Sequence, residues 1–555
     1  MVGVPGRSKG CNTCKQRKIA CSLEKPECRT CIKSGRTCAG YQRERIFLLD
    51  HRTKGDGPRT YQKPQVNPAH TPRSAPKKRK EATVPQQGGQ PSTSLITSHS
   101  NSISRTLSPS SLLMYRQQIL NKFLSMVSPT VRRIAKQEFV LESSAFWLAI
   151  LPSSAGISPA LETSIMALCT ASVGRSNSDR ALVHESLKFY TRGLWELQRA
   201  LWDPNLMYED DTLAACMILV TYEVTECPDQ GLAGWLKHMK GCSKLFELRG
   251  PKAYDSDVSY HLFTAFRLME IQQAITERRR TFLSSPEWLS LPWKAREKSK
   301  YHQFLDSMAL LPDVIADGYD IFGAVLNPAE TTPLDPISLM AKILGIVNRT
   351  WQLDAEFNAF YTEFERENLG QLYWPELSQG TITTADEEEL GKVFPVAYQF
   401  VNMTNAYICM LYWASNAILW SGMSYIYKVI AGFLAMQAAP QSPEEGTTNR
   451  SESSTTPIFS VDMLPPLEHR ADISTMAKNI AQSVEFALLN DNLNPWTTRA
   501  VFPLKVSIES FHDSPGCERE GKWGLAAMGK ILGSGVRILG HVEDDKWAEH
   551  AFLPG

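Results

Sequence analysis

From Ser111 onward, apolar residues recur mostly every three or four positions, the spacing that places them on one buried helical face. Leu112, Leu113, Ile119, Leu120, Phe123, Leu124 and Val127 open the pattern. It is clearest from Asp179 to Leu201, where Leu187, Tyr190, Leu194, Leu197 and Leu201 form one stripe. A dimerising coiled coil would need that stripe over several heptads, and Pro204 stops it, so a core helix is expected. Further helices are expected at about 211–226, 231–248, 258–283, 336–368 and 393–436, with Gly and Pro between them, and again at 472–489 and 520–540. The polar tract 438–457 reads as a flexible insertion in one all-α helical domain spanning 111–545. Ala406 to Trp420 is the most apolar stretch, but it is short for a bilayer span and contains Ser415 and Asn416. A buried helix and no membrane partner are expected there.

Before Ser111 the composition changes. Residues 1–50 are rich in cysteine and cations, and the Pro, Ser, Thr, Gln and Gly of the following stretch have little apolar content to bury. Residues 46–110 are therefore expected to be a basic, Pro/Ser-rich disordered linker. The whole chain of 555 residues is 43% hydrophobic and 21% charged, which suits a globular protein with a sizeable core. Its net charge of +1 conceals an asymmetry, because residues 1–80 hold 20 Lys and Arg against 5 Asp and Glu. A basic arm on a mildly acidic body fits a module that binds a polyanion, attached to a globular effector. No apolar signal-peptide core follows the start, so a reducing compartment is expected. Lys77, Lys78, Arg79 and Lys80 follow Pro76 in the linker; such an accessible basic run suits a nuclear import receptor and a nuclear location.

Half of the 12 cysteines lie at Cys11, Cys14, Cys21, Cys28, Cys31 and Cys38. A Cys-x2-Cys pair followed by a third cysteine occurs twice, an internal pseudo-repeat. Two tetrahedral zinc ions need eight ligand positions, which six thiolates fill only when two of them bridge both metals. The resulting cluster has a net charge of about −2, which nearby Lys and Arg offset with cations left over for DNA phosphate. A disulfide scaffold would want a short secreted chain instead, and a zinc module for protein or RNA is the remaining alternative.

These residues resemble the fungal Zn(II)2Cys6 binuclear cluster, over about residues 7–45. The resemblance implies a monomeric module of two helix–strand–helix halves, with Cys11 and Cys28 as the bridging ligands. It also matches the basic run Lys15, Gln16, Arg17 and Lys18 and the loop proline Pro26. It places Lys18 at the guanine edges of a CGG triplet, with Lys15 and Arg17 nearer the phosphates; lysine donates well to guanine O6 and N7. The resemblance further implies a sequence-specific regulator of RNA polymerase II transcription that binds double-stranded DNA, by family analogy at metabolic or secondary-metabolite genes. Tyr41 to Lys54 holds one apolar cluster, Ile46 to Leu49, and no second heptad, so a homodimer would have to come from the helical body.

In that body, Trp235, His238, Gly241, Leu245, Arg249, Gly250, Pro251, Phe263, Arg267, Pro286, Trp288, Pro292 and Trp293 resemble the second type of fungal-specific transcription factor domain. Trp235 and His238 share a helical face and are expected to pack in the core. Cys169, Cys216, Cys227, Cys242, Cys409 and Cys517 read as buried thiols. Enzyme motifs are absent: Gly6 to Gly10 fits G-x-S-x-G but lacks a preceding strand, and Gly533 with Gly535 lacks a third glycine. At the C-terminus, Glu543, Asp544, Asp545 and Glu549 alternate with Val542, Trp547, Phe552 and Leu553. That pattern suits either a surface for a transcription coactivator or corepressor, or a terminal helix packed on the body.

Overall fold

The computed structural model describes residues 11, 13–14, 17, 19–24, 28–38, 114–126, 157–226, 233–326, 336–380, 391–438, 461–490 and 500–533. The basic run 77–80, residues 439–457 of the polar tract, Cys227 and the acidic stretch 542–553 lie outside them. The chain divides into two compact units, Met1–His99 and Ser100–Gly555.

In the first unit the described helix is short, α1 (Arg29–Lys33). The second unit is largely helical. It begins with α2 (114–126), α3 (Pro159–Ser176), α4 (Arg180–Trp202), α5 (Asp210–Glu226), α6 (Ala233–Arg249) and α7 (Asp257–Thr276). Ser158 caps α3 through the Leu161 N–H, with Pro159 in the first turn, and Asp179 caps α4 through Ala181 and Leu182. The tight connection folds α4 back along α3. A Cβ on Gly174 would sit 2.9 Å from the backbone nitrogen of Val183, so only glycine lets the helices meet so closely there. The expected stripe faces inward, with Tyr190 and Leu197 buried and Leu187, Leu194 and Leu201 partly so. α5 packs on α3 and α6 on α5, and α5 is buried on nearly every side.

The expected helix 258–283 ends sooner. Arg278 adopts a left-handed backbone with φ of 52°, and Arg279 turns back to the buried Glu270, donating from Nη1 to Oε1 at 2.7 Å. Short turns then lead through α8 (Pro286–Ser290) to α9 (Lys300–Met308), α10 (Leu311–Leu326) and α11 (Pro336–Glu367).

The chain departs from expectation a second time at 393. Residues expected to open a helix there form β2 (Val396–Phe400), antiparallel to β1 (Tyr373–Leu377), with Tyr373 opposite Phe400. Pro395 explains it: inside a helix it would remove a hydrogen bond and clash, whereas at the strand's edge its carbonyl accepts the Ser378 N–H at 3.0 Å. The helix proper is α12 (Met403–Ala438), followed by α13 (Ser474–Asn490), α14 (Val501–His512) and α15 (Glu518–Gly533). Ala406 to Trp420 is buried almost throughout by α11, α13 and α14, and no helix among the described residues is long and apolar enough to cross a membrane. At its end a buried carboxylate joins three elements. Asp354 on α11 accepts from Trp420 Nε1 at 2.7 Å and from Arg470 Nη2 at 2.7 Å.

Candidate metal centre and nucleic-acid interface

Among the described residues, too few apolar side chains surround the N-terminal cysteines to make a core. Among the described residues of the first unit, the buried ones are Cys11, Cys14, Cys28 and Cys31, each 0% exposed, with Cys21 and Cys38 packed against them. Such a short segment without a hydrophobic core needs another source of cohesion, and a metal is the usual one.

The two Cys-x2-Cys pairs have the same local geometry. Cys11 Sγ accepts the Cys14 N–H at 3.3 Å, and Cys28 Sγ accepts the Cys31 N–H at 3.3 Å while capping α1. Cys21 Sγ accepts the Cys11 N–H at 3.3 Å. Across the repeat, Cys11 and Cys28 sulfurs are 3.6 Å apart, Cys14 and Cys28 3.7 Å, and Cys11 and Cys31 3.8 Å. Tetrahedral zinc with Zn–S bonds of about 2.3 Å holds its sulfurs about 3.8 Å from one another, so the donor set fits the ion. The thiols fall into two groups of four, Cys11 with Cys14, Cys21 and Cys28, and Cys11 with Cys28, Cys31 and Cys38, all sulfurs in a group within 4.8 Å. Cys11 and Cys28 stand in both.

Burial, with the neighbouring Cys28 and Cys11, pushes the Cys31 thiol up to about 12, and burial pushes Cys14 higher still. Thiolates at this spacing need a cation among them, which makes metal affinity fall as pH falls. Of the expected DNA contacts, Arg17 is exposed and its Nη1 donates to Ser34 Oγ at 3.2 Å, linking the two halves. Lys15, Lys18 and Pro26 lie outside the described residues. Sequence reasoning missed two further links between halves, Thr13 Oγ1 donating to the Thr37 carbonyl at 3.2 Å and Thr30 N–H to Ser22 Oγ at 3.1 Å. Small hydroxyl residues between the cysteines were the available signal.

In the second unit, Trp235 and His238 sit on α6; Trp235 packs partly buried against the core, and His238 faces α4 and α5. His238 Nε2 lies 3.4 Å from the Tyr190 hydroxyl and 4.0 Å from Glu223 Oε1, and that hydroxyl donates to Glu223. Trp288 and Trp293 are buried, Trp288 tilted against the rings of Phe282 and Phe263, Trp293 beside Arg267. Arg267, 1% exposed, pairs with Asp306. Trp288, Trp293 and Arg267 are thus part of the buried core, with Trp235 packed against it. The described cysteines outside the first unit, Cys169, Cys216, Cys242, Cys409 and Cys517, are all buried free thiols.

Residues 9–45 match the fungal Zn(2)-Cys(6) binuclear cluster domain, which binds two zinc ions, and residues 118–317 match the fungal specific transcription factor domain. Both are transcription-factor domains, not enzymes. An uncharacterized protein of Emericella nidulans is 29% identical over 157 residues, 28% of this chain and 32% of that protein. The chain thus spans about a third of the relative it matches. No solved structure matches.

Proposed function

We propose, for a chain that carries both the zinc-cluster and the regulatory domain of fungal transcription factors, that it is a nuclear, sequence-specific DNA-binding regulator of RNA polymerase II transcription. The observation that supports this most is the pair of four-thiol groups sharing Cys11 and Cys28 in a strongly basic arm. In this reading Cys11, Cys14, Cys21, Cys28, Cys31 and Cys38 hold two zinc ions, and zinc supplies the cross-links that fix the module's shape. Lys18 reads the guanines of a CGG triplet in the major groove, while Lys15 and Arg17 contact phosphate. Residues 7–45 bind DNA, and 111–545 form the regulatory body that meets a coactivator or corepressor. The segment 46–110 joins them and offers Lys77, Lys78, Arg79 and Lys80 to an import receptor. The target genes are metabolic or secondary-metabolite genes.

The test is binding of the zinc-loaded chain to duplexes with and without a CGG triplet, measured by fluorescence anisotropy. Lys18→Ala should weaken CGG binding by about 5- to 150-fold, the equivalent of about 1–3 kcal/mol, and leave binding to the scrambled duplex unchanged. Lys15→Ala should weaken both alike. Equal affinity of the unaltered chain for both duplexes, or a Lys18→Ala loss that is the same on both, removes the base-reading role. Binding to neither, with two zinc ions present, points to a protein or RNA partner instead.

A further inference from the structure

Two cysteines far from the zinc-cluster domain meet across the packed faces of α5 and α6. The Cys242 thiol donates to the Cys216 sulfur at 3.1 Å, about 1 Å beyond a disulfide bond length of about 2.05 Å. Both are free and buried. The backbone builds this approach. α6 has glycines at 234 and 241, seven residues apart and so on one face. A Cβ on Gly234 would stand 2.8 Å from the Glu223 carboxylate of α5, and one on Gly241 would stand 3.9 Å from the Cys216 sulfur. With no side chain at either position, α6 lies close on α5 and presents Cys242 to Cys216. His238, one turn earlier on α6, offers its carbonyl to the Cys216 thiol at 3.9 Å, and its side chain is 15% exposed, so solvent reaches to within a turn of the pair.

We propose that Cys216 and Cys242 are an oxidisable dithiol, which hydrogen peroxide closes to a disulfide tying α5 to α6. The Cys216 thiolate attacks one peroxide oxygen; the O–O bond breaks, and the departing hydroxide takes a proton and leaves as water. The Cys242 sulfur then attacks the sulfenic sulfur of Cys216, forming the S–S bond and expelling hydroxide, which leaves as a second water with the Cys242 proton. Two thiols lose two electrons in all, and one peroxide gains them. The order follows from the surroundings. The Cys242 hydrogen bond, aided by His238, brings Cys216 down to about 6 against the effect of burial. Burial, and then the neighbouring Cys216, push Cys242 well above the ordinary thiol range. Cys216 is thus the nucleophile, and Cys242 resolves it.

The test treats the full-length, zinc-loaded chain with a small molar excess of hydrogen peroxide and alkylates the remaining thiols. Digestion without reduction uses trypsin and a glutamate-specific protease, whose cuts after Glu223 and Glu226 put Cys216 and Cys227 on different peptides. Mass spectrometry should find the Cys216 and Cys242 peptides joined, lighter by two hydrogens than the reduced pair and separated by dithiothreitol. Oxidation of the pair should exceed that of Cys169 and Cys409, two buried thiols that burial pushes up, by about tenfold or more. Cys216→Ser should leave Cys242 alkylated. Cys242 fully alkylated in the unaltered chain, joined to Cys227, or oxidised no faster than Cys169 overturns the proposal.

Discussion

Cys28 and Cys38 hold unequal places in the cluster, and their substitution should have unequal results. Cys28 belongs to both groups of four thiols, and Cys38 to one. Serine at Cys38 leaves Cys11, Cys14, Cys21 and Cys28 as a complete set, whereas serine at Cys28 leaves three thiols in each. Cys28 also caps α1, but a lost cap costs only about 0.5–2 kcal/mol. A structural zinc site contributes about 10–16 kcal/mol at neutral pH, so metal count decides the outcome. After dialysis against a chelator of moderate affinity, metal analysis of the full chain should find two zinc ions in the unaltered protein, one in Cys38→Ser and none in Cys28→Ser. Cys11→Ser should follow Cys28→Ser, and Cys21→Ser should follow Cys38→Ser. A cobalt-substituted protein gives an independent readout through its thiolate charge-transfer band. Equal metal loss from Cys28→Ser and Cys38→Ser would refute the shared-ligand reasoning, as would one ion retained by Cys28→Ser.

In the helical body, Asp354→Ala should cost about 3–5 kcal/mol in urea denaturation, because Arg470, 14% exposed, loses its counter-charge and Trp420 its acceptor; a loss below about 1 kcal/mol would show that solvent replaces the carboxylate. On α14, burial lowers Lys505 to about 8 and raises Glu509 to about 7, one turn apart. Replacing both with Met and Gln should leave stability at pH 7.5 unchanged or raised by about 1–4 kcal/mol. Since the folded pKa of Glu509 is raised, its unfavourable contribution is absent below about 4.5 and complete above about 7, so the advantage of the double variant should narrow as pH falls through that window. A double variant less stable than the parent at pH 7.5 would mean that the ion pair outweighs its desolvation.

The metal centre was legible because its chemistry is local in sequence. Six cysteines within 28 positions fix the donor set, and ligand counting alone requires two of them to be shared. Spacing did not say which two. That came from resemblance, and the structure brings Cys11 and Cys28 together with both remaining pairs. The links between Thr13 and Thr37 and between Ser22 and Thr30 were hidden because a hydroxyl's partner depends on the path of the backbone, which the cysteine spacing leaves free. The helices of the body were legible for the complementary reason, that the stripe at Leu187, Tyr190, Leu194, Leu197 and Leu201 is itself the face that packs.

Where the reading of the body failed, the deciding contact lay far away in the chain. Val396, Tyr398 and Phe400 alternate as a strand does, but their pairing with Tyr373 to Leu377 spans about twenty residues of intervening chain, and the apolar run of α12 directly after them masked the change of period. Pro395 was the one local sign. The α5–α6 seam carries the same lesson for chemistry. Cys216 and Cys242 were read singly, as buried thiols, and singly that reading holds; what makes them a pair is the close approach that Gly234 and Gly241 permit. A glycine spacing of seven on a helix marks a face where another backbone can come close, but not which residue waits there. Once α5 supplies Glu223 and Cys216 at those two places, a carboxylate meets one glycine and a thiol the other, so packing alone turns two inert-looking cysteines into neighbours able to react.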